Sequence, residues 1–120
     1  MEVKVREAAK DVILVELKGR LVAGTGDELL HDVVDELLAG GWKKIVLDLS
    51  EVPRIDSAGI GELVAGIRLG ERFQARMAML MRPDSQVKKV LSLSQILPLL
   101  EIYDDEADAV ASFASPPGDG

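Results

Sequence analysis

Cysteine is absent from the 120 residues; histidine, tryptophan and tyrosine each occur once, and phenylalanine twice. The missing thiols exclude disulfides, thiolate metal sites and cysteine nucleophiles, and they suit a reducing compartment. A lone histidine leaves carboxylates as the only other metal ligands, and it leaves serine chemistry with a single candidate base. Aromatics make up 3% against 48% hydrophobic residues, so the core has to be aliphatic. Bases are also short, 14 against 21 acids, for a net charge of −7. Phosphate backbones need a basic face and anionic lipids attract one, so neither nucleic acid nor direct membrane binding is expected. No apolar run approaches the roughly 20 residues of a spanning helix. The opening MEVKVREAAKDVILVELKG has no basic region ahead of a continuous apolar stretch. A cytoplasmic domain is therefore expected, and a chain of this length supplies one core.

What is present alternates between strand and helix patterns. VKVREAA and VILVELK read as a hairpin across Lys10-Asp11. GRLVAG follows as a loop. TGDELLHDVVDELLAGG carries apolar residues at helical spacing (Leu29, Leu30, Val33, Val34, Leu37, Leu38), with Thr25 and Glu28 placed as a capping box and Gly40 at its end. KKIVLDLS is a strand covered on both faces. A helix from Ser57 carries Ile60, Leu63, Val64 and Ile67 on one stripe. ARMAMLM is a further strand, whose alternating Met77, Met79 and Met81 read as core filling. PDSQVKKVLSLS is a helix capped by Asp84, LEIY a last short strand, and DDEADAVASF an acid-headed helix. Strands separated by helices run parallel through crossovers. The expectation is an α/β domain over residues 1–113: a mixed, mostly parallel sheet with an N-terminal antiparallel hairpin and about four helices. Residues 114–120 read as a flexible tail.

Familiar chemical motifs fail one by one. Gly59 and Gly61 lack the third glycine of a dinucleotide fingerprint, because position 64 is valine, and no Gly-Lys-Ser/Thr follows for a phosphate loop. A nucleophile elbow needs glycine two residues before the serine, where Ile55 stands. His31 falls on the polar side of its helix. Asp104, Asp105 and Glu106 stand where a helix begins, which cap and macrodipole account for. No catalytic group, cofactor site or metal site is expected.

The stretch VLDLSEVPRIDSAGIGELVAG is what remains. Ser57 reads as an N-cap, but glycines at 59, 61 and 66 cost roughly 1 kcal/mol each in a helix interior. Small residues at 58, 59 and 61 would bare the first turn to a close-packed partner. A phosphate on Ser57 would add roughly two negative charges there, beside Asp56, and disturb such an interface without unfolding the domain.

IVLDLSEVPRIDSAGIGELV resembles the signature of the STAS domains, particularly the bacterial anti-sigma factor antagonists, in which the serine after the aspartate is phosphorylated. The resemblance runs from the hairpin and Gly19-Arg20-Leu21 to the last helix. It implies a partner switch. The unphosphorylated antagonist binds an anti-sigma factor that is also a serine kinase and releases the sigma factor; the kinase then modifies Ser57, and a serine phosphatase resets it. The implied contact surface is Asp56, Ser57, Ala58, Gly59, Ile60, Gly61 and Glu62, with Arg20, Leu21 and Thr25 from the neighbouring loop. The chain is then a regulator and not an enzyme, a monomer or weak dimer. Two positions depart from the pattern: Ala58 replaces a frequent Ser/Thr, and Val22 replaces a frequent acid. The alternative is a STAS scaffold or accessory subunit of a larger assembly, without a phosphoswitch.

Overall fold

A computed structural model describes residues 1–114. Residues 115–120, most of the expected tail, lie outside the described residues. Strands β1 (Glu2–Ala9) and β2 (Val12–Lys18) form the hairpin; Asp11 turns it at φ 64, a conformation aspartate tolerates better than most residues. Then come α1 (Asp27–Ala39), β3 (Lys44–Glu51), α2 (Ser57–Arg72), β4 (Arg76–Leu80), α3 (Gln86–Leu93), a 3-10 turn at Leu97–Leu99, β5 (Ile102–Tyr103) and α4 (Glu106–Ala111). The sheet order is β1-β2-β3-β4-β5, antiparallel in the first pair and parallel in the rest. This is the expected mixed sheet with an antiparallel edge.

The period-2 alternation of the strands divides two apolar layers. Ile13, Val15 and Leu17, Ile45, Leu47 and Leu49, and Met77, Met79 and Met81 join one cluster with Leu30, Val34 and Leu38 of α1, Leu63 of α2 and Val87 and Leu91 of α3. Val12, Leu14, Val46, Ala78 and Leu80 pack on the other face against Ala109 and Phe113, in and just beyond α4. The methionines are core filling. Three helices on one side and one short helix on the other leave the α1–α2 layer to carry the conspicuous motif.

Three caps differ from expectation. The Thr25–Glu28 box does not form. Thr25 is held in a tight turn, exchanging N–H···O bonds of 2.9 Å with Val22, so α1 starts one residue later behind left-handed Gly26 with no side-chain cap. Ser85, not Asp84, caps α3, its hydroxyl accepting from Lys88 N–H at 3.2 Å. Asp56, not Ser57, caps α2, accepting from Gly59 N–H at 3.0 Å. In each case the cap lies one residue from the expected position, a difference that composition alone does not resolve.

Candidate functional site

The glycines of α2 are not a bared outer face. Its buried residues are Gly59, Leu63, Gly66 and Gly70, one inward stripe at helical spacing with a single large side chain. At Gly59 a Cβ would stand 2.2 Å from the Leu21 carbonyl oxygen and 2.8 Å from Ile55 Cγ1. At Gly66 and Gly70 the nearest neighbours are Val34, Ala75 and Met77, at 3.5 Å or more. Gly61 alone points into open space. Glycine at 59 is thus an internal requirement: it lets the first turn of α2 lie against the backbone of the loop between β2 and α1.

That loop and the α2 entry are joined three times. Leu21 N–H donates to the Arg54 carbonyl at 2.9 Å, and Asp56 N–H donates to the Leu21 carbonyl at 3.3 Å, closing a short parallel bridge between Leu21 and Ile55. The Asp56 carboxylate completes the junction. One oxygen takes Gly59 N–H and the other takes Ala23 N–H, both at 3.0 Å, so one side chain caps the helix and pins the loop to it. These backbone bonds, that from Ala23 foremost, hold its pKa below the ordinary 3.8. It is therefore ionised at neutral pH.

Ser57 follows directly as the first helical residue and is exposed. Its backbone is fixed on both sides while its hydroxyl is left to solvent. Ala58 and Ile60 are half-buried and Gly61 is exposed. Glu62 is half-buried, and its Oε2 lies 3.2 Å from Nδ1 of His31 on α1. His31 is exposed, as its place on the polar side of the helix implies.

Of the loop residues, Arg20 is exposed and Thr25 half-buried within its turn. Leu21, 0% exposed, and the buried Gly59 cannot offer side chains to a partner. Both were expected at the contact surface; here they lie inward, packed against each other at the junction. Sequence reasoning missed Ala23 and Arg54. Ala23 acts through its N–H, which leaves no side-chain signal, and Arg54 enters by pairing with a segment more than 30 positions away. Among the described residues no group of three His, Asp or Glu side chains could hold a metal, and no helix is long and apolar enough to cross a membrane.

The comparisons with known proteins bear on this strand–Asp-Ser–helix junction. The sequence pattern of the STAS domain matches residues 3–109. The chain belongs to the STAS domain family. Its relatives include an anti-sigma F factor antagonist of Paenibacillus polymyxa, 26% identical over 107 residues, covering 89% of this chain and 91% of that one. The crystal structure of a Thermotoga maritima protein, named provisionally as an anti-sigma factor antagonist, superposes with a TM-score of 0.81 at 28% identity, covering 92% of each chain. The phosphorylated form of the Bacillus cell-fate determinant SpoIIAA gives 0.69 at 18% identity over 93% of this chain and 99% of that one, a likeness of fold. The STAS fold is thus the expected α/β architecture, carried among the described residues by five strands and four helices.

Proposed function

We propose that this STAS domain is an anti-sigma factor antagonist working as a phosphorylation-controlled partner switch. The observation that carries the reading is the α2 entry: an exposed Ser57 hydroxyl on a backbone immobilised by the bonds of Asp56 to Ala23 and Gly59. The antagonist names of its relatives support it.

The partner is an anti-sigma factor that is also a serine kinase. It docks on Ser57, Ala58, Ile60, Gly61 and Glu62, with Asp56, Arg20 and Thr25 at the edge, and releases the sigma factor. The chain catalyses nothing; the partner's ATP donates its γ-phosphoryl group to Ser57 Oγ, the hydroxyl proton leaves, and ADP departs. A phosphate brings about two negative charges beside the ionised Asp56. The junction beneath stays intact, because the core residues holding it are untouched. The interface above loses its fit and its charge balance, and the complex separates until a serine phosphatase removes the group.

The test is a pair of baits, Ser57→Ala and Ser57→Asp, used on lysate of the source cell with bound proteins identified by mass spectrometry. An ATP-binding protein of the serine-kinase type should be retained by the first and depleted by the second. Retrieval of the same scaffold or membrane subunits by both would overturn the switch and favour a role inside a larger assembly.

A further inference from the structure

Leu21 and Ile55 form the parallel bridge beneath the site, and both side chains are buried, 0% and 7% exposed. Side chains alternate along extended backbone. The residues before them, Arg20 and Arg54, therefore face outward together, and both are exposed. Bridged segments run about 4.8 Å apart, so the two arginines start from neighbouring backbone positions. Among the described residues neither enters a salt bridge, whereas Arg6 and Arg76 are each tied to glutamate. Like charges placed opposite one another are unfavourable, and an anion between them reverses the sign.

Ser57 lies three residues beyond Arg54, so the two Cα atoms are at most about 11 Å apart. An arginine and a phosphoserine reaching toward each other close that gap. At the helix end Asp56 already takes Gly59 N–H and Ala23 N–H, and as an anion it repels a second one.

We propose that Arg20 and Arg54 together receive the phosphate carried by Ser57, a phosphomonoester dianion held against the switch face by two guanidinium groups. The inference rests on Ser57 being the phosphorylated residue and deepens that reading. Phosphorylation then does more than add charge. It withdraws both guanidinium groups from any carboxylate on the partner.

The arm that tests the pair needs no partner. Phosphoserine is installed at position 57 during synthesis, and the phosphate is titrated by 31P NMR in the wild-type protein and in Arg20→Gln/Arg54→Gln. Its second pKa, ordinarily about 6, should be lower in the wild type by about 0.3 to 1.5 units, the range two exposed ion pairs supply. The difference should shrink in 1 M salt, where screening acts over about 3 Å. Asp56 at the cap, and Lys18 and Glu51 paired at the strand ends, face the same region but are common to both proteins. Circular dichroism checks that the variants fold, and each single variant should recover part of the shift if the double one does not. Identical titrations would overturn the pair while leaving the switch standing. A lowered wild-type pKa with unchanged partner affinity would overturn the switch and leave the pair.

Discussion

Adding one methyl group at position 59 tests how the site is built. A Cβ there would lie 2.2 Å from the Leu21 carbonyl oxygen, 2.8 Å from Ile55 Cγ1 and 3.0 Å from Leu21 Cγ. The oxygen cannot retreat, because the bridge to Ile55 and the bond from Asp56 N–H hold it. The first turn of α2 must therefore move outward by roughly 1 Å, stretching the Gly59 N–H bond to Asp56. Overpacking of this kind costs about 1–3 kcal/mol, a loosened N-cap about 1 more, and alanine's helix propensity returns about 1. Gly59→Ala should lose about 1–3 kcal/mol. With an unfolding entropy of about 2.1 cal/mol/K per residue, that lowers the midpoint of a chain this long by about 4–12 °C. Gly61→Ala is the internal control: nothing lies within 4 Å of its Cβ, so it should gain up to about 1 kcal/mol. Thermal unfolding by circular dichroism, with urea titration for the free energies, reads both. Equal stability of the two variants would refute the close approach of α2 to the Leu21 backbone.

Asp56→Ala should destabilise at neutral pH. Because the folded-state pKa is depressed, that contribution is present above the ordinary 3.8 and fades as pH falls through the lower folded value. The stability gap between wild type and variant should therefore be constant from pH 5 to 7 and close below about 4, as urea midpoints across pH would record. Arg76 donates to Glu101 and to the Ser112 carbonyl and lies 4.5 Å from the Phe113 ring centroid, tying β5 and the end of α4 to β4. Arg76→Ala should cost about 1–2 kcal/mol and speed hydrogen exchange in α4, leaving the amides of 57–61 unchanged. Leu63 is the only large buried side chain on α2; Leu63→Ala should cost about 2–5 kcal/mol in urea titration.

The order of elements was legible because the central strands β2, β3 and β4 are apolar runs and α1 repeats at 3.6 residues. The Asp-Ser motif was legible as a motif, but its parts were misassigned. Serine and aspartate are both favoured caps, and only the reach of Asp56 to Ala23, 33 positions away, decides between them. The glycines misled for a related reason. Sequence shows that Gly59 and Gly61 are both small, whereas the fold turns one against the Leu21 carbonyl and the other to solvent. Thr25 failed as a cap because a two-way backbone turn with Val22 claimed it first. Arg54 had no periodic signal, since its position beside Arg20 comes from one long-range bridge.

The central claim is that phosphate on Ser57 controls partner binding. Its most direct test is the affinity of the purified anti-sigma partner for this chain, unmodified and fully phosphorylated at Ser57, by calorimetry under identical salt. The unmodified form should bind, and phosphorylation should cost at least about a tenfold loss, some 1.4 kcal/mol. Equal affinities for the two forms would contradict it.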